Sequence, residues 1–189
     1  MLNFCSLLLL PLFTLALAGG EGWLDSNFSV RAVLGEGSYR GFVLWGLLAG
    51  GYFFVLLSRL IAALPGLWLR LGLHGLTLLC CSSLSYAIAI PYLPERFPRW
   101  ADIHVAAATG ACVLLMVILL LLILFHLRRD KKRYAPLLLG WGGIAVVSAL
   151  LFLAAGMVSS ALEVFFTLST ALLARSLWLR QSPASKPSG

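Results

Sequence analysis

The stretch from Ala101 to Tyr134 constrains the fold of this chain more than any other. It begins with Asp102 and His104, continues through a long uncharged run, and ends in a dense group of lysines and arginines. About 20 helical residues, each rising about 1.5 Å, cross roughly 30 Å of hydrocarbon. The stretch therefore predicts a membrane-spanning helix, and its charged end predicts how that helix is oriented.

The charged end holds five cations within six residues: Arg128, Arg129, Lys131, Lys132 and Arg133. Short loops rich in Lys and Arg remain on the cytoplasmic side of a membrane, so this basic cluster is interpreted first as a topology signal. The same five residues are candidates for binding anionic lipid headgroups, because polybasic segments beside a span attract them.

Composition excludes an ordinary soluble domain. Of the 189 residues, 61% are hydrophobic and only 11% are charged, whereas soluble domains average about 25% charged residues. The net charge of +7 would suggest nucleic acid in a soluble protein. Here the positive residues flank apolar runs, where topology and lipid contact explain them, so no nucleic-acid partner is expected.

The pattern predicts an all-α, polytopic bundle of six transmembrane helices in a multi-pass membrane protein. Lys and Arg concentrate in segments 58–70, 128–133 and 175–189, which predicts that both termini are cytoplasmic. The first apolar run lacks the preceding basic residues of a signal peptide, so an uncleaved span is favoured; the alternative is a signal peptide, for which the small residues of ALAGG offer a cleavage site. The predicted spans are approximately 2–18, 41–57, 71–91, 103–127, 136–155 and 160–179, followed by a flexible tail at 181–189.

Ionisable residues inside membrane spans are rare and costly, which makes them candidates for function. Glu163 and His104 are predicted near the extracytoplasmic surface at similar depth, whereas His74 and His126 are predicted near the cytoplasmic boundary. A polar stripe follows the last span at three- and four-residue steps and should face the bundle interior. Its members are Ser160, Glu163, Thr167 and Thr170.

Cofactor and metal sites find little support in the sequence. The four cysteines lie in apolar runs without zinc spacing and are interpreted as small buried hydrophobes. Three histidines cannot supply two bis-histidine haem sites, and no nucleophile or phosphate-loop motif occurs. No metal and no cofactor are therefore expected.

Two short motifs lie within the second span and in the loop before it. Gly46 and Gly50 are four residues apart, a spacing that lets helix backbones approach closely and offers a face for a helix-mediated oligomer or protein partner. Residues 27–29 read Asn-Phe-Ser, which has the form of a glycosylation sequon but is a short and common pattern.

Three stretches resemble the six-span FRAG/DRAM-type membrane proteins, a group that includes a protein of GPI-anchor lipid remodelling. They are FSVRAVLGEGSYRGFVLWG in the first outer loop, WADIHVAAATGA at the fourth span and SSALEVFF at the last. The resemblance implies that His104 and Glu163 are functional positions. It implies no reaction, because that family is functionally diverse.

The leading hypothesis is a membrane protein of undefined activity with an outward-facing polar pocket at His104 and Glu163 that engages lipid. One alternative is a lipid-modifying enzyme that uses His104 and Glu163, with Asp102, as acid and base, since a neighbouring carboxylate orients an imidazole and favours its charged form. The other is a structural or accessory subunit in which these groups only join helices.

Overall fold

The computed structural model describes residues 2–19, 22–35 and 39–181, and in this part of the chain all regular structure is helical. Residues 182–189 of the predicted tail lie outside the described residues, while Gln181 ends the last helix. The elements in chain order are α1 (Leu2–Phe4), a π-helical turn (Cys5–Leu9), α2 (Leu10–Ala18), α3 (Phe28–Leu34), α4 (Tyr39–Ala62), α5 (Leu67–Ala89), α6 (Pro98–Leu127), α7 (Lys131–Ala155) and α8 (Ser160–Gln181).

Five of these helices, α4 to α8, are long and apolar enough to cross a membrane. The elements from Leu2 to Ala18 form one shorter apolar helix. Its π-helical turn lies just before Pro11, which has no N–H to offer the carbonyl one turn earlier, and the wider turn accommodates that loss. The fold class is thus confirmed as an all-helical membrane bundle of five long helices and a shorter N-terminal one.

The segment between the N-terminal helix and α4 contains a helix that was not predicted, α3. Asn27 has extended backbone angles and its side chain accepts a hydrogen bond from the N–H of Val30, as an N-cap residue does. Gly35 ends the helix with a φ of 87°, a left-handed conformation that favours glycine.

Helices α4 and α5 pack closely at Gly46. A Cβ at this position would overlap Cδ1 of Ile88 on α5, so a larger residue would require the Ile88 side chain to move. Gly50 also faces α5, where a Cβ would lie 3.5 Å from Leu84. The glycine face that the sequence offers to a partner is therefore packed within the chain.

Helix α7 begins at Lys131 rather than at the predicted Pro136, which lies inside the helix. The side chain of Asp130 accepts a hydrogen bond from the N–H of Arg133 and caps this earlier start. Helix α6 likewise begins early, at Pro98, a residue well suited to the first turn because its missing N–H would have no helical partner. Most of the basic cluster therefore starts a helix instead of forming a loop.

The bundle has two distinct ends. Segments 22–35, 90–97 and 156–160 lie together at one end, here called the loop end. Residues 126–134 and 180–181 meet at the other, here called the basic end. Between the ends, α7 contacts only α6 and α8 extensively, and its apolar side chains are widely exposed, with Leu139 at 77% and Leu153 at 74%. Such a face suits contact with lipid.

Candidate functional site

Glu163 lies in the first turn of α8 and reaches across to α3. Its Oε2 accepts a hydrogen bond from the backbone N–H of Phe28, with 2.7 Å between the two atoms. Phe28 is the first residue of α3, so this N–H has no partner within its own helix. Glu163 therefore supplies a cap to a helix that is 135 residues distant in sequence.

The segment before α3 caps α8 in return. The N–H of Ser160 donates to the Ser26 carbonyl at 2.7 Å, and the N–H of Ala161 donates to the Trp23 carbonyl at 2.9 Å. These donors belong to the first turn of α8, where helical partners are lacking. Segment 23–28 and the start of α8 thus satisfy each other's backbone groups.

Phe28 extends this connection into the bundle. Its side chain is fully buried and meets the ring of Trp45 edge-on, with centroids 5.1 Å apart and planes at 87°. The indole N–H of Trp45 donates to Thr14 Oγ1 at 3.0 Å. A continuous series of contacts therefore joins α8, α3, α4 and the N-terminal helix.

His104 is buried in the second turn of α6, where it contacts the end of α5. Its Nδ1 lies 2.9 Å from the carbonyl oxygen of Ile90, the residue that follows α5. Because a carbonyl only accepts, Nδ1 carries a proton in this hydrogen bond. The ring also lies 5.6 Å from that of Tyr92.

A second side chain completes the end of α5. The hydroxyl of Tyr39 donates to the carbonyl of Ile88 at 2.8 Å. The carbonyls at the C-terminal end of a helix lack intrahelical donors. Here Tyr39 supplies a donor to the carbonyl of Ile88, and His104 supplies one to the carbonyl of Ile90. Both side chains hold the end of α5 in place beside the loop that leads to α6.

The hydrogen bond that the sequence suggests between His104 and Glu163 does not occur in the described part of the chain. Each side chain instead bonds to a backbone group, His104 to Ile90 and Glu163 to Phe28. Asp102, the third predicted member, is exposed and makes no hydrogen bond to a described residue. The three candidates therefore share the loop end without forming one hydrogen-bonded group.

A cavity of about 280 Å³ opens at the loop end between α3 and the connection from α5 to α6. Its walls are mainly apolar, with one acidic and one basic residue among them: Val30, Val33, Tyr92, Leu93, Pro94, Glu95 and Arg96. Glu163 anchors the start of α3, which carries two of these residues, and His104 anchors the chain just before Tyr92. The two sequence candidates thus position opposite walls of this cavity.

The basic end is also tightly structured. The guanidinium of Arg133 donates to the Arg180 carbonyl, and the guanidinium of Arg180 donates to the Arg133 carbonyl. His126 stacks on Tyr134, with ring centroids 5.0 Å apart, and contacts Gln181 through Nε2. His126, a candidate from its place in a span, therefore joins α6, α7 and α8.

Arg175 was not predicted as a site residue, because it was counted with the basic residues of segment 175–189 although it lies within the predicted span 160–179. It lies within α8, and its Nε donates to Oδ1 of Asn3 at 2.9 Å. On the same helix, the Ala171 carbonyl accepts a hydrogen bond from the buried hydroxyl of Tyr52 at 3.3 Å. An arginine inside a predicted span, with a polar residue in another span, was the available signal.

Among the described residues, no cluster of three or more His, Cys, Asp or Glu side chains could hold a metal ion. Comparisons of this sequence and fold with family models, curated proteins and solved structures find no match. The interpretation of the candidate site therefore depends on its geometry alone.

Proposed function

We propose that the chain is a six-span membrane protein with both termini in the cytoplasm, and that the cavity at its loop end binds the headgroup region of a membrane lipid. Five long apolar helices and a shorter N-terminal one support the spans. The excess of Lys and Arg at the basic end supports the orientation. The resemblance to FRAG/DRAM-type proteins belongs to the same proposal.

The cavity and its lining carry this proposal. Apolar walls from Val33, Leu93 and Pro94 suit the glycerol and upper chain region of a lipid, while Arg96 offers a guanidinium for a phosphate. A volume of about 280 Å³ is near the lower limit for small-ligand pockets, roughly 300 Å³. The cavity therefore fits part of a lipid rather than a whole one.

In this proposal Glu163 and His104 are positioning residues. Each forms its hydrogen bond with a backbone group, and those bonds hold the two sides of the cavity. The same bonds favour the accessory-subunit alternative, in which both residues only join helices. They give no support to an acid–base pair, because neither residue uses the other to orient its reacting atoms.

The amount of lipid that the protein retains tests the proposal directly. The protein would be extracted in a mild detergent with native lipid, and bound lipid would be counted by native mass spectrometry. Val33→Trp should fill the cavity and Arg96→Gln should remove its cation, so both variants should retain less lipid than wild type. Arg99→Gln is the matched control, since Arg99 lies on the same exposed segment outside the cavity lining. Equal lipid retention in all four proteins would contradict lipid binding in the cavity and favour the accessory-subunit alternative.

The orientation is tested separately with cysteines introduced at Lys132 and Arg99. A membrane-impermeant maleimide added to intact cells should label the variant at 99 and spare the one at 132. External labelling at 132 would overturn the proposed topology.

A further inference from the structure

The five cations of the basic cluster have different surroundings in the structure. All six residues from 128 to 133 are exposed. Arg129 places its guanidinium carbon 4.6 Å from the ring centroid of Phe125, a cation–π contact within α6 and its end. Arg133 donates to the Arg180 carbonyl and fixes the start of α7 to the end of α8. Two of the five cations therefore stabilise the local structure.

The other three cations are uncommitted. The side chains of Arg128, Lys131 and Lys132 make no hydrogen bond, ion pair or ring contact with any described residue. The one acid in this segment, Asp130, accepts the N–H of Arg133 through Oδ1 as the cap of α7. Three positive side chains thus flank this turn without forming an ion pair with Asp130 or any other described carboxylate.

Exposed apolar residues on α6 and α7 lie next to these cations. Leu121, Leu124 and Arg128 follow each other at steps of three and four residues, so they share one face of α6, and both leucines are exposed. On α7, Lys132 is followed at the same spacing by the exposed residues Pro136 and Leu139. A lipid chain along either face would bring its headgroup to the basic residues.

We propose that Arg128, Lys131 and Lys132 form a binding site for the phosphate-bearing headgroups of anionic lipids at the basic end. Arg129 and Arg133 are positioning residues that hold the turn. The occupant is a lipid rather than a soluble phosphate compound because exposed apolar faces of α6 and α7 end at the cations. This site is separate from the cavity at the loop end.

The experiment compares two double variants that each remove two positive charges. Arg128→Gln/Lys132→Gln removes uncommitted cations, and Arg129→Gln/Arg133→Gln removes the structural ones. Each protein is placed in nanodiscs of phosphatidylcholine, alone or in an equimolar mixture with phosphatidylserine. Bound phosphatidylserine is measured by native mass spectrometry, and thermal unfolding in phosphatidylcholine establishes that each variant is folded.

The first pair should weaken phosphatidylserine binding on the order of tenfold or more, since each basic residue near an anionic surface contributes substantially to attraction, with thermal unfolding unchanged. The second pair should lower the unfolding temperature and, where folded, weaken binding by only a few-fold. Equal loss in both pairs would show diffuse charge attraction and overturn the assigned site. Unchanged binding in the first pair would overturn it too.

A second arm separates lipid from soluble phosphate. Glycerol 3-phosphate is added to wild-type protein in nanodiscs that contain phosphatidylserine. Retention of the lipid is the expected result, because the soluble compound gains nothing from the apolar faces. Displacement at concentrations comparable to that of the lipid would assign the cations to a soluble anion and overturn the lipid proposal.

Discussion

Glu163 and Phe28 are joined by a 2.7 Å hydrogen bond between a carboxylate oxygen on α8 and the first backbone N–H of α3. The bond attaches segment 22–35 to the bundle at the place where Phe28 enters it and meets Trp45. An ionisable residue within a predicted span thus has a structural partner. Its role depends on an oxygen acceptor, which a neutral amide also supplies.

Glu163→Ala should destabilise the protein, and Glu163→Gln should be tolerated. Alanine leaves the N–H of Phe28 without an acceptor, which costs about 1–3 kcal/mol for a buried donor. Glutamine keeps a side-chain oxygen at the same length. Thermal unfolding in detergent measures the difference, and limited trypsin digestion at Arg31 reports release of segment 22–35. Equal destabilisation by both substitutions would show that the charge, rather than the acceptor, is required.

His104 gives a parallel prediction. Asparagine places an amide N–H near the position of Nδ1, so His104→Asn should preserve the hydrogen bond to the Ile90 carbonyl. His104→Ala removes the donor and leaves a space in a buried site, and we expect a loss of about 1–3 kcal/mol. Thermal unfolding distinguishes the two variants. If asparagine is as damaging as alanine, the ring packing against Tyr92 matters more than the hydrogen bond.

Hydrophobic runs alone predicted the helical bundle, because spans of apolar residues have few other stable structures in a membrane. The ends of these helices were harder to predict. Asp130 starts α7 at Lys131, although Pro136 was the more visible signal. Asn27 starts α3 inside a segment interpreted as a loop. In both cases a single capping side chain decided where the helix begins, although the composition of the surrounding residues indicated otherwise.

The candidate site was predicted in part. Sequence placed His104 and Glu163 at the same end of the bundle, and both lie there. Their partners are the carbonyl of Ile90 and the backbone N–H of Phe28. Nearly every residue has both groups, so no sequence pattern identifies these partners. Arg175 was missed for a related reason, since its contact with Asn3 depends on how the first and last helices pack.

Thr14 and Trp45 should be energetically coupled. Thr14→Val leaves the indole N–H of Trp45 unpaired in a buried position, which costs about 1–3 kcal/mol. Trp45→Phe in the same protein removes the unpaired donor, so the double variant should lose less than the sum of the single losses. Thr14→Ser keeps the acceptor and is the control. Strictly additive losses in a double-mutant cycle would show that the 3.0 Å contact contributes no coupling.

Gly46 should accept a larger residue only at a cost in stability while Ile88 faces it. Gly46→Ala places a methyl group 2.0 Å from Cδ1 of Ile88, and such overpacking costs about 1–3 kcal/mol. Gly51→Ala is the control, because a Cβ there meets nothing within 4 Å and alanine favours a helix by about 1 kcal/mol. Ile88→Ala should lose less stability in the Gly46→Ala protein than in wild type, since it removes the obstructing group. Thermal unfolding of the single and double variants measures this coupling. If Gly46→Ala and Gly51→Ala have equal effects, the close approach of α4 and α5 at Gly46 is not needed for stability.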